Sequence, residues 1–244
     1  RAAMAGIIIG VFYLINYTVI AGFVQVDPGL RPIGRLVGGL AFGWALVFIY
    51  YSKSELLTSN MMIVSIGAYY HRTGWIQALR LLGMCFLGNF IGGLVIALIG
   101  SMSSLISGDV LVEVLGSVSH KLEYVSAGPA GWADLLARAI LCNFMINIAM
   151  LQVYNGLIKE DITKCLVMVV AVFVFAFGGL EHSVANTVLF TVAGFRDGID
   201  IGLAMGNVGI ALIGNYIGGG ALIGFYYAYC NDDSRYREIH SSID

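Results

Sequence analysis

Apolar residues along this chain gather into six long stretches, at about 2–25, 35–70, 75–100, 131–157, 163–194 and 202–230. A helix needs about 20 apolar residues to cross a bilayer. These stretches have that length and lack the ten-residue alternation of barrel strands. Two of them, 35–70 and 163–194, are too long for one plain crossing, and both are interrupted. The first interruption is Ser52–Lys53–Ser54–Glu55 and the second is Gly178–Gly179–Leu180–Glu181–His182–Ser183. Charges, hydroxyls and paired glycines inside apolar stretches predict helices that stop and restart within the membrane. Thr58 or Ser59, and Ser183, are the expected N-caps of the restarted helices. The predicted fold is an all-α membrane protein of six transmembrane helices, with the second and fifth broken.

These interruptions are written twice. Glu55 is followed by Asn60 and by Gly88–Asn89–Phe90–Ile91–Gly92–Gly93, and Glu181 by Asn186 and by Gly214–Asn215–Tyr216–Ile217–Gly218–Gly219. Both copies keep five residues from Glu to Asn and 34 to the later Asn, and the copies lie 126 residues apart. The duplication implies one transmembrane domain over 1–244, with halves at about 1–100 and 131–230 joined by an outer loop at about 101–130. Duplicated halves with polar residues inside apolar spans are a common plan of transport proteins. Asn143 has a weaker echo in Asn16, 127 residues earlier.

Composition narrows the class. Mean hydropathy is +0.86, and charged residues make up only 11% of the chain, against about 25% in a soluble domain. The lipid bilayer is therefore the expected partner of most of its surface. A net charge of −2 gives no case for nucleic acid. Cys85, Cys142, Cys165 and Cys230 lie in or at the ends of apolar stretches without metal-ligand spacing, so they read as packing residues. No cofactor or metal is expected.

An even number of crossings puts both termini on one side, with Arg1, Arg72, Arg80, Lys159, Lys164, Arg235 and Arg237. Arg31, Arg35, Lys121 and Arg196 fall on the other. By the positive-inside rule the termini are expected in the cytoplasm and the protein in the cell membrane. The chain opens at Arg1 directly on an apolar stretch, so a preceding N-terminal piece is expected. That stretch has a span's length and no cleavage pattern, unlike a signal peptide.

A charge at the bilayer centre costs at least about 2.5 kcal/mol, so it is expected to line a pathway or pair inside the bundle. Glu55 and Glu181 hold matching positions, which points to scaffold: each would accept hydrogen bonds from backbone groups freed at a break. Direct contact with a substrate is the other reading. His182 matches Leu56 in the repeat. An asymmetric polar residue in a symmetric frame is the candidate for chemistry, and a histidine satisfied by neighbours such as Asn143 is the alternative. Asn89 and Asn215 either hold the interruptions in place or join helices.

Helix N-termini that meet inside the membrane would offer free N–H groups to a small anion. Moving the bare anion through an apolar constriction is costly. A histidine, which titrates near neutrality, could hydrogen-bond it or hand it a proton, so that the neutral acid passes. An intramembrane enzyme would need a nucleophile or metal set, yet His71, His120, His182 and His240 lie at separated depths.

At Glu55–Leu–Leu–Thr–Ser–Asn60, Ile140–Leu–Cys–Asn143, Gly179–Leu–Glu–His–Ser–Val–Ala–Asn186 and Gly214–Asn–Tyr–Ile–Gly–Gly–Gly220, the chain resembles the formate/nitrite transporter family. The resemblance covers essentially all 244 residues. It implies an aquaporin-like inverted repeat, a homopentamer, and one pore per subunit for formate, nitrite, hydrosulfide or lactate, with formate first. It also implies that His182 is the central pore histidine, with Thr58 and Asn143 beside it. Phe42, Leu46, Leu56, Ile146 and Phe175 match the family's two hydrophobic constrictions, although no periodicity marks them.

There are two departures. Leu57 stands where the family usually has Phe, and Ala127 stands where it has a vestibule lysine. Lys121 takes that role if Ser126–Ala–Gly–Pro–Ala–Gly131 is an insertion, and Arg138 is the second candidate. The alternative class is an aquaporin-type channel for small neutral solutes. It would need Asn–Pro–Ala triplets, and Pro28, Pro32 and Pro129 form none.

Overall fold

The computed structural model describes residues 1–234. Arg235 and Arg237 of the charge count, and His240, lie outside the described residues. Among the described residues the chain is helical, with no strand. The helices are α1 (Ala2–Val26), α2 (Arg31–Tyr51), α3 (Leu57–Tyr69), α4 (Trp75–Ser101) and α5 (Gly108–Ser126). They continue as α6 (Pro129–Tyr154), α7 (Asp161–Phe177), α8 (Ser183–Arg196) and α9 (Ile201–Asn215). The last runs on through a π-helical segment, Tyr216–Phe225, into α10 (Tyr226–Cys230).

Among the described residues, five stretches are long and apolar enough to cross a membrane: Ala2–Val26, Pro28–Tyr51, Trp75–Ser101, Pro129–Tyr154 and Ile201–Cys230. The remaining apolar sequence is delivered in shorter helices, α3, α7 and α8, of 13, 17 and 14 residues. Helix stops within both predicted long stretches, at 52–56 and at 178–182. Lys53 has φ 53° and Gly179 φ 66°. These two residues are repeat equivalents, so both helices turn off in the left-handed region at the same point. Glycine adopts that conformation freely, whereas lysine is strained there by about 1–2 kcal/mol. Ser52 helps to hold the first turn, its Oγ donating to the Ile49 carbonyl.

The N-caps differ from expectation. They are Leu56 for α3 and His182 for α8, not Thr58, Ser59 or Ser183. The caps come one or more residues earlier because the first N–H groups are taken by Asn89, Asn215 and the His182 ring rather than by the local hydroxyls. The expected outer loop at 101–130 also differs, since it folds as the 19-residue helix α5. Its buried residues, Glu113, Val114, Val118, Lys121 and Tyr124, follow helical spacing and turn one face inward. A left-handed Gly128, φ 72°, then turns the chain into α6 at Pro129.

The two halves interlock. α1 packs on α2 and α4, and α6 on α7, α9 and the π-helical segment. Across the halves, α3 lies against the π-helical segment and α8 against α4. Two repeat-equivalent glycines let the backbones meet: a Cβ on Gly92 would collide with the Ala3 carbonyl, and one on Gly218 with the Ile140 carbonyl. Close backbone approach through small residues is how helices associate where lipid is as apolar as the side chains.

This packing makes a direct prediction. Gly218→Ala should destabilise the protein by about 1–3 kcal/mol, because backbone must move to admit the methyl. Gly116→Ala on α5, where nothing lies within 4 Å, should leave thermal unfolding of the detergent-purified protein unchanged or slightly raised, since alanine favours a helix interior. Equal shifts in the two variants would contradict the packing described.

Candidate functional site

A helix that stops among apolar neighbours leaves backbone N–H and C=O groups that water does not reach, and each unpaired group is costly. Here asparagines from distant helices take them. Asn89 of α4 accepts from the Leu57 N–H at 3.1 Å and donates to the carbonyls of Glu55, 2.9 Å, and Ala2, 2.8 Å. Asn215 repeats this in the other half: it accepts from the Ser183 N–H at 2.8 Å and donates to the carbonyls of Glu181, 3.0 Å, and Ala139, 2.8 Å.

The glutamate carboxylates are not on those backbone groups. Glu55 accepts from Asn60 Nδ2 at 3.1 Å, and Glu181 accepts from Asn186 Nδ2 at 2.6 Å. The asparagines therefore hold the breaks, and the glutamates hold the first turn of each restarted helix.

The restarted helices meet at their N-termini. His182 Nδ1 accepts from the Ala185 N–H at 3.2 Å, so the neutral ring carries its hydrogen on Nε2. Nε2 then donates to Thr58 Oγ1 at 2.9 Å, which ties the start of α8 to that of α3. The N–H groups of Thr58, Ser59 and Val184 have no acceptor among the described residues. Two positive helix ends thus converge beside one imidazole. The Thr58 carbonyl accepts from Asn143 Nδ2 at 3.1 Å and Asn147 Nδ2 at 3.0 Å, and Asn143 also reaches the Asn215 carbonyl at 2.7 Å.

Around the imidazole lies a small apolar chamber of about 20 Å³, room for about one water. Its walls include Phe42, Leu46, Leu56, Ile146 and Phe175, all buried, together with His182. The structure thus gathers the five residues matched to the constrictions, and the histidine, around one space. Phe175 stacks on His182 at 5.5 Å between ring centroids and meets Phe42 edge-on at 5.7 Å. Leu57, the departure from the usual Phe, sits in the buried core.

Phe175 also lines a larger cavity of about 740 Å³, with Arg31, Arg35, Lys121 and Arg138. Leu46, Ile49 and Leu56 form the wall shared with a second cavity of about 420 Å³, where Arg1, Lys53 and Glu55 lie.

Lys121 on α5 is buried, and its Nζ donates to Glu181 at 2.8 Å. Burial pulls its pKa down, but the adjacent carboxylate more than offsets this and leaves the value above that of free lysine. With the folded pKa raised, the pair contributes fully below the pKa of free lysine. That contribution is lost only as pH climbs through the raised value. Arg138 does not reach Glu181's carboxylate. It donates through Nη1 to the Gly179 carbonyl at 3.0 Å and through Nε to Asp134 at 2.9 Å.

Asn147 and Asn207 escaped sequence reasoning, and both are fully buried. Asn207 accepts from Asn186 at 2.8 Å and donates to the Lys121 carbonyl at 2.9 Å, tying α5 to α8. The available signal was Asn143 and Asn147 one turn apart in an apolar helix. Asn207 has no repeat partner and gave none.

Two cavities that each share wall residues with an apolar chamber holding one histidine, inside a bundle of apolar helices, fit a membrane transport protein. Residues 1–229 match the family model Formate/nitrite transporter, and the chain belongs to that family. It is 29% identical to the nitrite transporter NirC of Salmonella typhimurium, over 96% of this chain and 82% of that protein. The solved structure of an FNT family ion channel superposes with a TM-score of 0.80 at 27% identity, covering 95% of this chain and 88% of the other. A pentameric formate channel with formate bound shares the fold at a TM-score of 0.73 and 20% identity, over 94% of each chain. Membership in the formate/nitrite transporter family does not favour the aquaporin-type alternative.

Two stability tests follow from the site. Asn215→Leu leaves the Ser183 N–H and two carbonyls unpaired, so it should cost at least about 3 kcal/mol in thermal unfolding. Lys121→Met strands a buried carboxylate and should cost about 3–5 kcal/mol. Adding Glu181→Gln should recover much of that loss, and a double variant no better than the single would contradict the pairing.

Proposed function

We propose that the protein conducts the small monovalent anions of weak acids across the cell membrane, formate first, with nitrite and hydrosulfide next. In this reading His182 is the central pore residue. The relatives named above carry nitrite or hold formate, which supports this substrate class. The observation that carries the reading is the single imidazole set between two converging helix N-termini in the wall of an apolar chamber.

The chamber is too small for an anion with its water shell, so passage requires side chains to move and water to be shed. Shedding water from a charge is costly in apolar surroundings. Free N–H groups of Thr58, Ser59 and Val184 would offset part of that cost. A proton drawn from the water of the adjoining cavity and relayed to the anion at the imidazole, which ends as neutral as it began, would remove the rest, and the neutral acid would cross between Phe42, Phe175, Leu46, Leu56 and Ile146. Thr58 orients the imidazole, and Asn143 holds the Thr58 carbonyl. The other polar residues, Glu55, Glu181, Asn89 and Asn215, are scaffold, and Lys121 keeps Glu181 matched on the vestibule side.

The chain would cross the bilayer six times, with α2/α3 and α7/α8 as broken second and fifth crossings and both termini in the cytoplasm. Arg1 and Lys53 at one cavity, with Arg31 and Arg35 at the other, suit cavities that open on opposite faces. Five subunits, each with its own pore, would form the assembly, as in the pentameric formate channel of the same fold.

Formate flux into proteoliposomes should rise as pH falls, because a proton accompanies the anion. His182→Phe keeps an aromatic ring against Phe175 but has no exchangeable proton. It should lower flux at least about a hundredfold. Wild-type flux from that variant, at the same pH, would remove His182 from the mechanism.

A further inference from the structure

The larger cavity is lined by four permanently basic side chains, and three of them are matched by carboxylates. Arg31 pairs with Glu113 at 2.5 Å, Lys121 with Glu181 at 2.8 Å, and Arg138 with Asp134 at 2.9 Å. Arg35 has no carboxylate within reach among the described residues, and its one hydrogen bond runs from Nη2 to the Phe177 carbonyl at 3.1 Å. The same cavity holds a second unmatched group. Asn16 of α1 is only 8% exposed, lines the cavity, and forms no side-chain hydrogen bond with any described residue. Its polar atoms are not among the buried, unpartnered ones, which belong to Ser59, Asn147, Ser183 and Asn186, so the amide is open to the space of the cavity.

These two groups share one seam of the fold. Asn16 Oδ1 lies 2.7 Å from where a Cβ on Gly38 would stand. Gly38 is one turn beyond Arg35 on the same face of α2, and with Oδ1 against α2 the amide Nδ2 is turned away from that helix. On its other side Arg35 approaches the helix stop: its Nη2 is 4.0 Å, and Arg138 Nη1 3.5 Å, from the Cβ position of Gly179. An unmatched guanidinium and an unmatched amide therefore face one space just outside the Phe175 wall of the chamber.

We propose that Arg35 and Asn16 form an anion-holding station selective for planar, two-oxygen anions, carboxylates above all. This rests on the anion-transport reading and adds a selection step before the chamber. A guanidinium presents two parallel N–H groups that match the two oxygens of a carboxylate, and its geometry is fixed where an ammonium's is not. The carboxylate's remaining lone pairs are free to accept from the Asn16 amide. Formate and nitrite have this two-oxygen edge. Hydrosulfide offers one weakly accepting atom and cannot bridge both groups. The Lys121–Glu181 pair does not compete, since its charges cancel.

The test measures half-saturating concentrations for formate and for hydrosulfide with the full chain in proteoliposomes. Asn16→Leu keeps the volume and removes the amide. It should raise the formate value about tenfold, the loss of one hydrogen bond to a charged group, and move the hydrosulfide value far less. Arg35→Lys keeps the charge and removes the fork, and it should shift the same ratio in the same direction. Formate values unchanged in both variants, or formate and hydrosulfide shifted equally, would overturn the station. If Asn16→Leu does not fold, the exposed Arg35→Lys decides by the same criterion. A wild-type protein that carries neither anion would overturn the transport reading itself. One that carries both, with variants that do not discriminate, overturns only the station.

Discussion

Everything at the centre of this protein depends on pairing the backbone groups left open where a helix stops among apolar neighbours. Water cannot reach them, so the fold supplies an amide side chain at each stop. Asn89 and Asn215 each accept one N–H and donate to two carbonyls, which fixes the end of one helix, the start of the next and a third element together. Because each amide engages carbonyls on two segments, neither stop can shift without breaking several bonds at once. That rigidity keeps the starts of α3 and α8 within a hydrogen bond of each other, and the Thr58–His182 contact follows from it.

The repeat builds the frame, and departures from the repeat give it a direction. Lys53 and Gly179 turn off their helices alike, and Gly92 and Gly218 seat their helices alike. The two glutamates, however, live in different surroundings. Glu55 is half-buried and lines the smaller cavity, with Asn60 as its side-chain partner. Glu181 is sealed in, with Lys121 and Asn186 on its carboxylate. The difference comes from α5, which exists once, between the halves. It brings Lys121 to one break only, so among the described residues the larger cavity is lined by matched ion pairs and the smaller one is not. His182 opposite Leu56 breaks the symmetry again at the centre, where one imidazole rather than two faces the chamber.

Sequence reasoning located the polar breaks, the repeat and His182, because each is a local break in apolar patterning and needs no knowledge of packing. The roles within the scaffold were less visible. A glutamate beside a break is the natural partner for its backbone when only near neighbours are considered, yet the amides that do this arrive from 32 residues away. Thr58 and Ser183 looked like caps for the same reason. The span from 101 to 130 looked like a loop because its apolar content is modest. Its inward stripe becomes meaningful only when a bundle stands beside it to receive Val114, Val118 and Lys121.

The sequence by itself determined the long apolar stretches that mark a membrane protein, the pattern written twice 126 residues apart, and the polar interruption in each copy. Hydropathy and spacing are properties of the chain before it folds. Only the tertiary structure decided which amide serves which break, that Lys121 rather than Arg138 meets Glu181, that Phe42, Leu46, Leu56, Ile146 and Phe175 wall one chamber, and that Arg35 and Asn16 stand unmatched in one cavity. Hydrogen bonds and ion pairs act over a few ångströms, and only folding sets which distant residues come that close.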